Sequence, residues 1–417
     1  MTYIGRTDVF KRLRILICAV VLLAPAPALH AAAYDAGTPK KTAAKRGDMP
    51  PYSFGFETGI GYDSNAYLSP DRPYTDFATA SNPTVTPAVR SGFYLPMRIK
   101  AAYEGDSASR TRFLASYRFS DYTYWQAATD NADRYTHRLD AGLTFVLGRE
   151  KRREDTLTVV PFAGLHRRVY VDHDTGLPKS SGINIIANRY NYESAGLDTV
   201  YRNRTSAVPY ELRAFLEHRN YQDPPGITTE LDNTYASIGA ETQLRPARPV
   251  RLELGYDYAR RDYDARKALD RNGSLVDGTT RQYAYYKLNA SLRNRLTEAV
   301  VVYLDYRYTI RNDQFAGYND YTENRYRVRT VYDARGALRL RAALSLWTVD
   351  YDRAFAFETP GQPRKTFETR DLQLEGQYRL RGPWSLAAEY RVRRQDSTDL
   401  RYDYDRETIQ AVVRWEH

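Results

Sequence analysis

The chain has 417 residues, a formal net charge of +10 and 27% charged residues, with a mean hydropathy of −0.65. That polarity excludes a bundle of membrane helices, each of which needs about 20 apolar residues, and a single cysteine excludes a disulfide-stapled scaffold. The cations are 51 Arg against 10 Lys, with 37 Tyr but 4 Trp, and arginine suits crowded charge networks better than lysine because its planar fork stays charged.

The N-terminus has the form of a secretory signal peptide. Lys11, Arg12 and Arg14 precede a short apolar core at 15–23, and Ala31 and Ala33 permit cleavage before Tyr34. The apolar run falls short of a spanning helix. Cys18 lies inside that core, so cleavage of residues 1–33 leaves an exported chain without cysteine. Residues 34–51 ("YDAGTPKKTAAKRGDMPP") are basic, small and proline-tipped, and are expected to be a flexible periplasmic lead-in.

From Tyr52 onwards the hydropathy period is two. "FGFETGIGYD" sets Phe54, Phe56, Thr58, Ile60 and Tyr62 against Gly55, Glu57, Gly59, Gly61 and Asp63. "RLELGYDY" sets Leu252, Leu254, Tyr256 and Tyr258 against Arg251, Glu253 and Asp257. Such alternation predicts strands with one apolar and one wet face. About sixteen are expected, with ends placed to within roughly 2–4 residues. They lie near 52–64, 93–104, 110–122, 134–147, 155–170, 189–202, 208–220, 233–245, 248–263, 281–295, 298–311, 322–333, 336–351, 366–380, 383–396 and 402–416. Joins after the even-numbered strands are mostly brief, and those after the odd-numbered strands are mostly longer. This asymmetry predicts an all-β fold for 52–417, a transmembrane antiparallel up-and-down barrel with short periplasmic turns and long extracellular loops. Aromatic residues agree: Trp384 opens an apolar stripe of Leu386 and Ala388 that Tyr390 closes, as two interfacial girdles require.

The wet face should line the lumen. Its densest basic stretch is "ENRYRVRTVYDAR" (323–335), where Arg325, Arg327 and Arg329 alternate with Tyr326, Val328 and Thr330. Arg339 and Arg341 continue this wall on the next strand, and Lys287, Arg293, Arg307, Arg391 and Arg393 share the inward face. Glu253, Asp257, Asp305, Glu375 and Glu389 are the expected lumen carboxylates. Two readings stay open: an anion-favouring solute path, or a cross-strand salt-bridge lattice that stiffens the barrel.

No catalytic or metal chemistry is expected. "VDHDTG" (172–174 acidic and histidine) and "DRNGSLVDG" (270–278) imitate part of a calcium loop, but Arg281 stands where the second would need a bidentate glutamate. Neither an H-E-x-x-H nor a G-x-S-x-G run occurs. No cofactor is implied. An exported barrel also has no nucleic-acid partner.

The run "GIGYDSNAYLSPD" (59–71), followed by continuous Tyr/Arg alternation, resembles the porin-like outer-membrane barrels associated with exopolysaccharide operons, and more loosely the barrel domains of exopolysaccharide secretion proteins. That resemblance implies a conduit in the outer membrane of a Gram-negative bacterium, supporting exopolysaccharide export. Its partners would be outer-membrane lipids, a polysaccharide or small anionic solute, and periplasmic export components. The terminal "IQAVVRWEH" alternates as an assembly signal does, yet ends on Glu416-His417 instead of an aromatic residue. The alternatives are an anion-selective or general porin, and a structural or adhesive barrel with a filled lumen.

Overall fold

A computed structural model describes residues 51–106, 108–150, 153–181, 184–222, 231–247, 249–334 and 336–417. The signal-peptide and lead-in expectations for residues 1–50 lie outside the described residues. Sixteen antiparallel strands close into one barrel. They are β1 Tyr52–Asp63, β2 Gly92–Glu104, β3 Thr111–Tyr124, β4 Arg134–Glu150, β5 Arg153–Arg168, β6 Tyr192–Asn203, β7 Tyr210–Tyr221 and β8 Asn233–Ala247. Then come β9 Val250–Tyr263, β10 Gln282–Arg295, β11 Val300–Asp313, β12 Tyr321–Ala334, β13 Leu338–Phe355, β14 Arg364–Arg379, β15 Trp384–Ser397 and β16 Tyr404–Glu416.

Each strand pairs with its sequence neighbours, and β1 closes on β16 from Gly55↔Glu416 to Asp63↔Thr408. Closure leaves the barrel sheet no free edge, as any sheet in lipid requires because lipid offers no hydrogen bonds. The seam is tight at Gly59, where any Cβ would meet the Ala411 carbonyl oxygen at 2.0 Å.

Alternation sorts side chains as expected. Leu304, Val328 and Leu344 are register partners on three successive strands, and each is 46–50% exposed. An apolar row of this kind around the outside is the surface that a bilayer covers. Aromatic rings bound it at both ends. Phe54, Trp384 and Trp415 cluster near the short turns, while Tyr62 with Phe93, Tyr258 with Tyr286, and Tyr306 with Tyr326 pair towards the loops.

Strand ends differ locally from expectation. β6 starts at Tyr192, not 189, because Arg189 and Asn191 donate backbone hydrogen bonds into a preceding turn. β13 runs on to Phe355, past a register shift that follows Asp350. The calcium-like stretches are turns. Asp172 Oδ1 accepts the Asp174 and Thr175 N–H groups, and Asp270 Oδ1 accepts those of Asn272 and Ser274.

The long loop at 64–91 draws other loops into one layer. Tyr74 packs on Phe357 after β13, Arg72 pairs with Asp403 after β15 at 2.5 Å, and Tyr74 Oη donates to Asp174 after β5 at 2.9 Å. Because β5 and β13 stand half a circumference apart in a sixteen-strand ring, that layer crosses the mouth.

Asp399 holds one edge of the layer in place. It is fully buried, takes both forks of Arg401 at 2.9 Å and Lys365 at 3.3 Å, and accepts the Phe357 N–H at 3.0 Å. Phe357 and Glu358 both have left-handed backbone, with φ of 57° and 55°, so this turn needs outside support. Burial works against the Asp399 carboxylate, but Arg401 and Lys365 outweigh it and hold its pKa below the usual carboxylate range. A depressed carboxyl pKa stabilises at neutral pH, and that contribution disappears as pH falls through the ordinary value towards the depressed one. Limited proteolysis within 356–363 should therefore stay slow from neutral pH down to about pH 5 and accelerate below about pH 4. Asp399→Asn should cleave fast throughout; an unchanged acid profile in that variant would discard this role.

Candidate functional site: the lumen wall

The inward faces enclose a main cavity of about 870 Å³ bounded by residues of β2 through β12. Nine cationic side chains border it against two carboxylates, Glu217 and Glu323. A smaller cavity of about 120 Å³ lies beside β15 and β16, next to Arg391, Arg393 and Arg406. Lys287 and Arg307 reach the main cavity. Arg325, Arg327, Arg329, Arg339 and Arg341 line neither, although alternation with exposed Tyr326, Val328, Leu340 and Leu344 turns them inward.

The inner wall has two chemically distinct sectors. Across β13, β14, β16, β1 and β2 runs a continuous ionic chain. Arg341 meets Glu375 at 3.0 Å, Glu375 meets Arg414 at 2.9 Å, Arg414 meets Glu57 at 2.5 Å, and Glu57 meets Arg98 at 2.6 Å. Above it, Asp371 takes both Arg391 at 2.5 Å and Arg393 at 2.7 Å. Asp63, fully buried, takes Arg406 at 2.5 Å and the Tyr124 hydroxyl at 2.7 Å. Glu389 accepts amide N–H groups from Gln373 and Gln410 at 3.0 and 3.1 Å. The carboxylates are 0–11% exposed at the side chain where they carry these pairs, so this sector is braced.

Across β10 to β12 the cations are held differently. Among the described residues, no carboxylate lies within ion-pair distance of Arg307, Arg325, Arg327 or Arg329. Arg307 Nε donates to Asn289 Oδ1 at 2.7 Å. The Arg329 guanidinium lies 4.1 Å from the Tyr303 ring centre, and that of Arg325 lies 5.1 Å from Trp347. Lys287 Nζ donates to the Tyr235 hydroxyl at 3.1 Å and lies over the Tyr235 and Tyr285 rings. Arg293 lies over Tyr303 at 5.9 Å. Aromatic faces attract a cation without neutralising it. For Arg307, Arg325 and Arg329, position is fixed while charge is kept.

The remaining expected carboxylates belong to neither arrangement in full. Glu253 pairs with Arg251 at 2.6 Å and accepts from Gln243. Asp257 accepts Asn289 Nδ2 at 2.8 Å, and Asp305 accepts Ser291 Oγ at 2.5 Å.

The expected five-arginine wall therefore divides. Arg341 is bound to Glu375, and Arg339 Nε lies 3.7 Å from Asp333 on β12, so at these two positions the salt-bridge reading of the wall applies. Arg391 and Arg393 likewise share Asp371. Trp347, Tyr303 and Arg406 are absent from the residues picked out by sequence, and Asp63 is placed there only by its parity. Trp347 carries a usable signal, because it shares the parity of Arg339 and Arg341 on a strand whose other face is Leu340, Leu344 and Leu346.

No protein-family profile and no curated protein matches the chain. Among solved structures it is similar to the outer-membrane channel DcaP of Acinetobacter baumannii, at 9% identity over 88% of this chain and 96% of that one, with a TM-score of 0.48. It is also similar to Acinetobacter baumannii OccAB3, at 10% identity over 88% and 98% of the two chains and a TM-score of 0.44. For Pseudomonas aeruginosa OpdQ the values are 12% identity, 88% and 99% coverage, and a TM-score of 0.41.

Proposed function

We propose that the chain forms an outer-membrane channel that passes anionic solutes in preference to cationic ones. One observation carries the reading: Arg325, Arg327 and Arg329 stand on the inward face of β12 with no carboxylate in ion-pair range among the described residues, while the adjoining sector from β13 round to β2 has its cations paired. Uncompensated charge in a low-dielectric wall raises the local concentration of counter-ions. The work is guidance of a solute, not catalysis.

The finer reading, export of an acidic exopolysaccharide, draws support from the four tyrosines that face the main cavity, Tyr192, Tyr235, Tyr285 and Tyr321. Rings beside cations offer a sliding polymer many weak contacts. The loop layer would have to move aside for such a polymer.

Purified protein in planar bilayers under a potassium chloride gradient tests both readings. An anion-selective reversal potential is expected. Cation selectivity, or a conductance that ignores the gradient's sign, would remove the channel reading proposed here. Block by an acidic polysaccharide added on the short-turn side, with no block by a neutral one, is the result expected for the polymer reading.

A further inference from the structure

Arg307 and Arg325 are direct register partners across β11 and β12. Like charges placed opposite one another on a sheet repel, and neither has a carboxylate in ion-pair range among the described residues. Two residues along β12, the Arg327 Nε is enclosed and bonds to nothing among the described residues, as does that of Arg329. The register partner of Arg327 is Asp305, whose Oδ1 is taken by Ser291. An enclosed donor left unbonded is destabilising, and the nearest inward carboxylates, Asp305 and Glu323, make no ion pair with Arg307, Arg325 or Arg327 among the described residues.

Trp347 walls this corner on the β13 side. It is the register partner of Arg325 on the other side, with that guanidinium 5.1 Å and the Arg393 guanidinium 5.3 Å from its ring centre. Arg393 is already bound to Asp371 at 2.7 Å. The indole thus contacts one carboxylate-bound cation and one without a carboxylate partner, and its strand lies between β12 and the β14 strand that carries Asp371.

We infer that Arg307, Arg325 and Arg327, walled by Trp347, form a binding site for a single oxyanionic group, a carboxylate or a phosphate. The inference rests on the anion-channel reading and assigns it a saturable station. Guanidinium forks match the paired oxygens of such groups, and the ligand would supply the acceptor that the Arg327 Nε lacks and a charge within ion-pair reach of the three cations. A free phosphate and a sugar acid share that chemistry.

Trp347 also supplies the measurement. The chain has four tryptophans, and the other three, Trp125, Trp384 and Trp415, stand on the loop side or at the outer turn-side rim. The full chain in detergent, with those three changed to Phe, is titrated with inorganic phosphate, with glucuronate and with glucose while emission is followed. Folding is checked by heat-modifiable gel migration, and calorimetry on the unaltered chain covers the case in which the triple variant does not fold.

Saturable emission change and heat with an oxyanion, and none with glucose, is the expected result. Arg325→Gln should weaken binding by about tenfold, as loss of a charge-assisted contact does. Binding of both oxyanions assigns the site to the anionic group alone, and binding of glucuronate without phosphate assigns it to a sugar acid. A response that is linear, or that potassium chloride of equal ionic strength reproduces, overturns the site. Anion-selective conductance without saturable binding also overturns it while the channel reading stands. Saturable binding without conductance leaves the site and removes the channel.

Discussion

Changing Arg325, Arg327 and Arg329 together to glutamine should lower the anion-to-cation permeability ratio about fivefold at roughly 0.1 M salt. The estimate is Coulombic. A unit charge about 10 Å from a passing ion contributes about 0.4 kcal/mol in water. Three such charges favour an anion and oppose a cation, for about 2.5 kcal/mol between them before screening. Screening over one Debye length leaves about 1 kcal/mol, which is the fivefold ratio. The loss should grow as salt is diluted, because the Debye length then exceeds the distance to the wall.

The control removes a neutralised pair. Asp371→Asn with Arg391→Gln deletes one charge of each sign from the braced sector, and selectivity should hold. Reversal potentials for the two variants decide the matter. If they shift equally, the shift does not follow the charge removed and the β12 wall has no special part. If the triple variant alone shifts, the unpaired arginines set it.

Much of the architecture was legible from alternation, because the period of two reports which face each residue occupies. All sixteen strands fall where the pattern predicts them, and inward Arg325 and outward Val328 follow from parity alone. Alternation carries no information about height across the barrel. Glu375 is reached by Arg341 from the adjacent strand and by Arg414 from two strands away, so which arginines are neutralised depends on register and side-chain reach. That is why Arg339 and Arg341 read as part of an unneutralised wall and are not. The loop layer was hidden for another reason. Tyr74 and Phe357 meet across 283 positions of chain, and nothing in either loop's local composition names the other.

Arg414→Ala should lower the barrel's unfolding free energy by about 3–5 kcal/mol, the usual cost of breaking a buried ion pair from one side. Its side chain is 16% exposed, and Glu57 and Glu375 are 11% and 10% exposed, so solvent screening removes little of that cost. Truncation would leave one carboxylate oxygen on each of two strands without its partner, Glu57 on β1 and Glu375 on β14. Arg329→Ala, by contrast, removes a cation that rests on Tyr303 and neutralises nothing, and should cost about 1 kcal/mol. Urea titration of heat-modifiable migration compares the two. Equal midpoint shifts would mean that the ionic chain is not a brace. The comparison bears on assembly as well as stability. β1 and β16 are the first and last strands of the barrel, so their pairing closes a loop of nearly the whole chain and is its least local contact. Arg414 links both sides of that seam through Glu57, and the ionic chain continues through Arg98 and Arg341 on either flank. A barrel lacking Arg414 should therefore show its largest defect in refolding yield, with strands formed and closure incomplete.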